Sequence, residues 1–88
     1  MTVCFFGRIK EFTGGEERYT SAMAEYTAIR ELLDELCIHY GEPFEAFIRG
    51  NETCLLLVNG MGIKHTGGLD TPLKNSDRVE ILPFVEAG

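Results

Sequence analysis

Arg78-Val79-Glu80-Ile81-Leu82 alternates apolar and polar residues with the period of a half-buried strand, and Pro83-Phe84-Val85-Glu86-Ala87-Gly88 follows it. Residues 83–88 read as a thin tail leaving that strand. At about 3.3 to 3.6 Å per extended residue, residues 83–88 reach roughly 20 Å beyond the sheet, far enough to place a terminal carboxylate inside another protein's cleft. Gly88 has no side chain to obstruct such a cleft. The alternative is a frayed end that happens to stop at glycine, and the rest of the chain must decide between them.

Working backward, Cys54-Leu55-Leu56-Leu57-Val58 is an unalternating apolar run, expected as a strand covered on both faces or central in a sheet. Asn59-Gly60 after it is a hairpin-turn signal. Upstream, Ile29, Leu32, Leu33, Leu36, Cys37 and Tyr40 recur at helical spacing, with Glu31, Asp34 and Glu35 toward solvent. This predicts a helix packed on a sheet. Thr27 is the expected N-cap, and Gly41 with Pro43 the stop. Phe44, Phe47 and Ile48 predict a second short helical piece that pins the connection to the core. Residues 1–9 are expected as a buried strand, residues 10–15 as a break with a short helical turn ending at Gly14-Gly15, and residues 17–23 as a second strand in a hairpin with the first.

The chain has 88 residues, enough for one domain with one core, and its 44% hydrophobic and 10% aromatic content fits a folded globule. Eight basic and fourteen acidic residues give a formal charge of −6. That charge repels phosphate backbones and anionic lipid, so nucleic acid and membrane are not expected partners. No apolar run suits a signal peptide or a membrane span, and a cytoplasmic protein is expected.

Cys4, Cys37 and Cys54 are widely spaced, without a C-x-x-C pair, and only His39 and His65 could assist them, so no metal site is expected. Each cysteine reads as a buried small apolar residue. The glycine-rich stretch 60–68 lacks the strand-to-helix context of a phosphate loop, so Gly67 and Gly68 read as turn formers and His65 as an exposed loop residue. No nucleophile has a base beside it in sequence.

Two strands, a helix and two further strands, the last one closing beside the first, make an α+β ubiquitin-like β-grasp: a mixed sheet of four to five strands packed on one main helix. The expected domain is residues 1–82, with 83–88 as a flexible C-terminal tail. Phe5-Phe6-Gly7-Arg8-Ile9-Lys10-Glu11, the helix start Thr27-Ala28-Ile29-Arg30-Glu31-Leu32-Leu33-Asp34, Val58-Asn59-Gly60, and Leu73-Lys74-Asn75-Ser76-Asp77 leading to Leu82-Pro83 and Gly88 occur in one order. In that order they resemble the MoaD/ThiS-like sulfur-carrier family over nearly the whole chain, and the stretch between Gly41 and Cys54 resembles its molybdopterin-synthase small subunits more than its shorter thiamine-pathway members.

The resemblance implies a mechanism. An ATP-dependent adenylating enzyme (MoeB/ThiF-like) joins AMP to the Gly88 carboxylate, and a sulfur donor displaces AMP to leave a thiocarboxylate. The acyl-adenylate and thiocarboxylate are transient modifications, and no stably bound cofactor is expected. A partner resembling the molybdopterin synthase large subunit then takes the sulfur. By resemblance Gly88 is the reactive residue, and Leu82, Pro83, Phe84, Val85, Glu86 and Ala87 form the tail that partners hold; Ile63 is a further candidate contact. The chain would be no enzyme alone but the sulfur-carrying subunit of a sulfurtransferase. Alternatives are a ubiquitin-like modifier conjugated to target lysines through Gly88, and a β-grasp interaction module with an inert tail. Ala87 departs from the family's penultimate glycine. Either a partner channel accepts its methyl group, the chain continues past the residues given, or carrier activity has been lost.

Overall fold

The computed structural model describes residues 1–22, 27–50 and 54–83. Among these residues seven strands and two α-helices run in the order β1 (Thr2–Phe5), β2 (Arg18–Thr20), β3 (Thr27–Ala28), α1 (Ile29–Tyr40), α2 (Glu42–Arg49), β4 (Cys54–Val58), β5 (Met61–Gly62), β6 (Pro72–Leu73) and β7 (Arg78–Pro83). The main sheet has the order β2-β1-β7-β4-β5, and β3 with β6 forms a small second ladder. β7 lies in the middle. It runs parallel to β1, with Phe5 opposite Ile81, and antiparallel to β4, with Val58 opposite Val79. This mixed sheet grasping a helix is the expected β-grasp.

The core follows from the two periodicities. Val3 and Phe5 of β1, Val79 and Ile81 of β7 and Val58 of β4 meet Ile29, Leu32, Leu33, Leu36 and Cys37 of α1. Most of these side chains are completely buried. α2 adds Phe44 and Ile48 to the same cluster, and Phe44 lies 5.1 Å from Tyr40 and 6.0 Å from Phe5, ring centre to ring centre. Gly41, at φ 90°, separates α1 from α2 where a side chain would be strained.

Several expectations change at the ends of elements. The first strand stops at Phe5, not Ile9: Gly7 at φ 62° turns the chain into a 3₁₀ helix, Gly7–Phe12, from which Ile9 reaches the core. That helical turn begins earlier than the sequence suggested, and Gly14 and Gly15 follow it in left-handed conformations. β2 is shorter than residues 17–23, and Met23 lies outside the described residues. Thr27 is not the N-cap. It pairs with Leu73 in β3, so Ala28 occupies the cap position, where its N–H donates to the Glu31 carboxylate at 3.4 Å.

β4 also departs from its expected environment. It lies inside the sheet, between β7 and β5, but is not covered on both faces: Leu55 is 40% exposed. Cys4 and Cys37 are buried as expected, but Cys54 is only half-buried, because it stands at the start of β4. Asn59 and Gly60 both have positive φ, the conformation of a two-residue type I′ hairpin loop joining β4 to β5.

Candidate functional site

The root of the tail is held from both sides. Val79 and Ile81 anchor β7 in the core, while Cys54 pairs with Pro83 and Leu55 with Leu82 across the β4 ladder. On the other side the Phe6 N–H donates to the Ile81 carbonyl at 3.0 Å. Leu82 and Pro83 are therefore fixed, half-buried residues at the end of the central strand. Phe84, Val85, Glu86, Ala87 and Gly88 lie outside the described residues. Ile63 opens a 3₁₀ turn after β5, half-buried and packed against the core cluster, apart from Leu82 and Pro83 in the strand order.

Cys54 is the nucleophilic group nearest the root along the ladder. Burial pushes its thiol up, and its Sγ lies 3.8 Å from the Ile48 carbonyl, so at neutral pH it stays a thiol of low reactivity. Among the described residues no cluster of His, Cys, Asp or Glu could hold a metal ion, and no helix is long and apolar enough to cross a membrane.

The sheet face turned away from α1 is the second component. Register places Leu55 beside Leu82 and Leu57 beside Glu80 on that face, continuing through Arg78 and Cys4 to Arg18 on the far strand. Leucines thus stand next to the tail root and arginines farther along. The Arg78 guanidinium lies 3.5 Å from the half-buried Glu80 carboxylate, a surface pair of small net value. This surface can bury apolar area against another protein while Arg18 and Arg78 meet its carboxylates. Sequence reading missed it because the run 54–58 has no polar residue to mark an open face.

Opposite this face, hydrogen bonds clasp helix to sheet. The Tyr19 hydroxyl donates to Glu35 at 2.6 Å and the Ser21 hydroxyl donates to the same carboxylate at 3.1 Å. The bond to Glu35, with burial, pushes the Tyr19 phenol up to about 12. Tyr40 is also shifted upward, by burial first and then by its 2.9 Å bond to Glu16. These phenols hold structure and offer no acid or base near neutral pH.

The model of the ThiS family matches residues 3–88, which takes in both the fold and the whole tail. The chain belongs to the ThiS family. That family is one of the ThiS/MoaD-like ubiquitin-like sulfur-carrier families. Its fold is similar to that of small archaeal modifier protein 1 from Methanosarcina acetivorans, with 27% identity, a TM-score of 0.75, and 99% of this chain and 94% of that one covered. It is also similar to a chain in the complex of subunits 1 and 2 of the molybdopterin-converting factor from Helicobacter pylori, at 29% identity and a TM-score of 0.58, covering 99% and 96%. The BexX/CysO complex of Amycolatopsis orientalis contains another similar fold, at 23% identity and a TM-score of 0.78, covering 99% and 98%. A search of curated proteins found no match.

Proposed function

We propose that this ThiS-family protein carries sulfur as a thiocarboxylate on Gly88 and delivers it in molybdopterin assembly. The observation that carries the reading is the family match running through the tail to residue 88. A strand fixed up to Pro83 suits that use, because it gives a short tail a defined starting point. An α-carboxyl with an ordinary pKa of about 3.3 to 3.7 is ionised at neutral pH and resists acyl transfer. Activation removes that obstacle. The Gly88 carboxylate attacks the α-phosphorus of ATP and pyrophosphate leaves; a sulfur nucleophile then attacks the acyl carbon and AMP departs with the bonding electrons. The adenylating enzyme and the sulfur acceptor supply the catalytic groups, and the leucine-arginine sheet face is the surface on which they dock.

The molybdopterin assignment rests on the likeness to the Helicobacter pylori molybdopterin-converting factor, a complex of two subunits. The likeness to small archaeal modifier protein 1 favours a second reading, conjugation to protein lysines through the same activated Gly88. Intact mass after incubation with the adenylating enzyme, ATP and a sulfide source tests the shared chemistry. One terminal oxygen replaced by sulfur is the expected result, and an unmodified mass beside a competent enzyme overturns it. Adding the acceptor subunit and a pterin precursor separates the readings. Sulfur should leave the carrier for the pterin, whereas a pterin that gains no sulfur, beside carrier joined to lysines by isopeptide bonds with its sulfur expelled as sulfide, would favour the modifier.

A further inference from the structure

We propose that Gly7 is a positioning residue for the tail, its missing side chain leaving the space in which the Pro83 ring sits. This inference rests on the carrier reading and adds to it the residue that aims the tail. Gly7 and Pro83 lie two positions beyond the paired Phe5 and Ile81 on the parallel strands β1 and β7. A Cβ at Gly7 would stand 2.8 Å from Pro83 Cγ and 3.2 Å from Pro83 Cδ. An ordinary side chain could rotate out of such a contact. The pyrrolidine ring closes onto its own backbone nitrogen, so relieving the contact moves the main chain at Pro83.

The two sides of the contact are not equally free. Behind Gly7, Phe6 is hydrogen-bonded to Ile81 and, ahead of it, Ile9 is completely buried, which fixes the first turn of the 3₁₀ helix. Pro83 pairs with Cys54 at the very end of its strand but has no N–H to donate, so it is held less firmly than Gly7. Any added bulk at residue 7 therefore displaces Pro83, the residue from which the tail leaves the sheet. Misplacement of a reacting group by about 1 Å can cost as much as about 10²-fold in rate.

Gly7 is also at φ 62°, so a substitution strains the backbone as well as filling the space, and the experiment must separate the two. Gly7→Ala, Pro83→Ala and the double variant are compared for kcat/KM of thiocarboxylate formation by the adenylating enzyme, with thermal unfolding measured in parallel. Gly7→Asn, which tolerates left-handed backbone better but still carries a Cβ, is the fourth variant. Expected is a loss of tens of fold for Gly7→Ala and Gly7→Asn in protein that remains folded at the assay temperature, with recovery in Gly7→Ala/Pro83→Ala. An equal loss in the double variant would assign the effect to backbone strain and overturn the proposal, as would full activity in folded Gly7→Ala. A wild-type chain that is never modified would defeat the carrier reading instead. Residual dipolar couplings of the Leu82 and Phe84 N–H vectors then judge Gly7 alone: the Phe84 coupling should change in Gly7→Ala and return in the double variant, and no change overturns the inference.

Discussion

Asn59 shows how much one side chain can organise. Its backbone is left-handed at φ 51°, its amide nitrogen donates to the Asp77 carboxylate at 2.9 Å, and its side-chain oxygen accepts from the Arg78 N–H at 3.0 Å. The loop after β4 is thereby tied to the start of β7. Asn59→Ala should destabilise by about 1 to 3 kcal/mol, from lost hydrogen bonds and left-handed strain together, read as a lower urea midpoint at unchanged slope. Tyr19 gives a pH-dependent counterpart. Its folded phenol titrates near 12 against an ordinary value of 10, so the folded state binds more protons between those values. The contribution is complete below pH 10, and stability should fall as pH rises from 10 toward 12. In Tyr19→Phe that part of the decline, followed by denaturant titration at each pH, should shrink. At position 87 the methyl group is the point of interest: Ala87→Gly should hold or raise the rate of thiocarboxylate formation by mass spectrometry, and a sharp fall would mean that the partner channel grips the methyl.

Among elements, α1 carries the greatest share of the core. Leu36 is completely buried in the core cluster, and Leu36→Ala should cost about 2 to 5 kcal/mol in chemical unfolding. α1 was legible in sequence because Ile29, Leu32, Leu33, Leu36 and Cys37 keep one period over three turns. Its start was not. Thr27 has the chemistry of a cap, but pairing with Leu73 and the Ile29 N–H bond to the Thr71 carbonyl draw it into a ladder that no local pattern announces. β1 misled in the same way: Ile9 belongs to the core, yet it arrives there from a 3₁₀ turn created by Gly7. β4 looked doubly covered because leucine at 55 and 57 reads the same whether a helix or another protein covers it. The strand 78–82 was legible from its apolar residues, and Pro83, expected to open the tail, is still paired with Cys54 in β7.

For the molecule as a whole, two opposed faces divide the work. The helix face is packed by α1 and α2 and closed at its edge by tyrosine-carboxylate bonds, while the opposite face of the sheet presents Leu55, Leu57 and Leu82 with Arg18 and Arg78. Leu55→Glu should therefore leave thermal stability nearly unchanged but weaken binding of the adenylating enzyme at least tenfold by calorimetry, the scale of a residue costing more than 1 kcal/mol at an interface. A large fall in melting temperature would place Leu55 in the core instead. The strand order has a further, kinetic consequence. β7, the middle strand, follows every one of its neighbours in the chain, and its parallel partner β1 lies at the opposite extreme of sequence. The largest loop closure is thus required for the pairing that makes the sheet continuous, which slows folding and leaves the β1 and β4 edges open while a nascent chain waits for its centre. Until β7 arrives those edges are vulnerable to other chains, and the same event that covers them also brings Pro83 to Gly7, so protection from aggregation and assembly of the tail root are completed in one step.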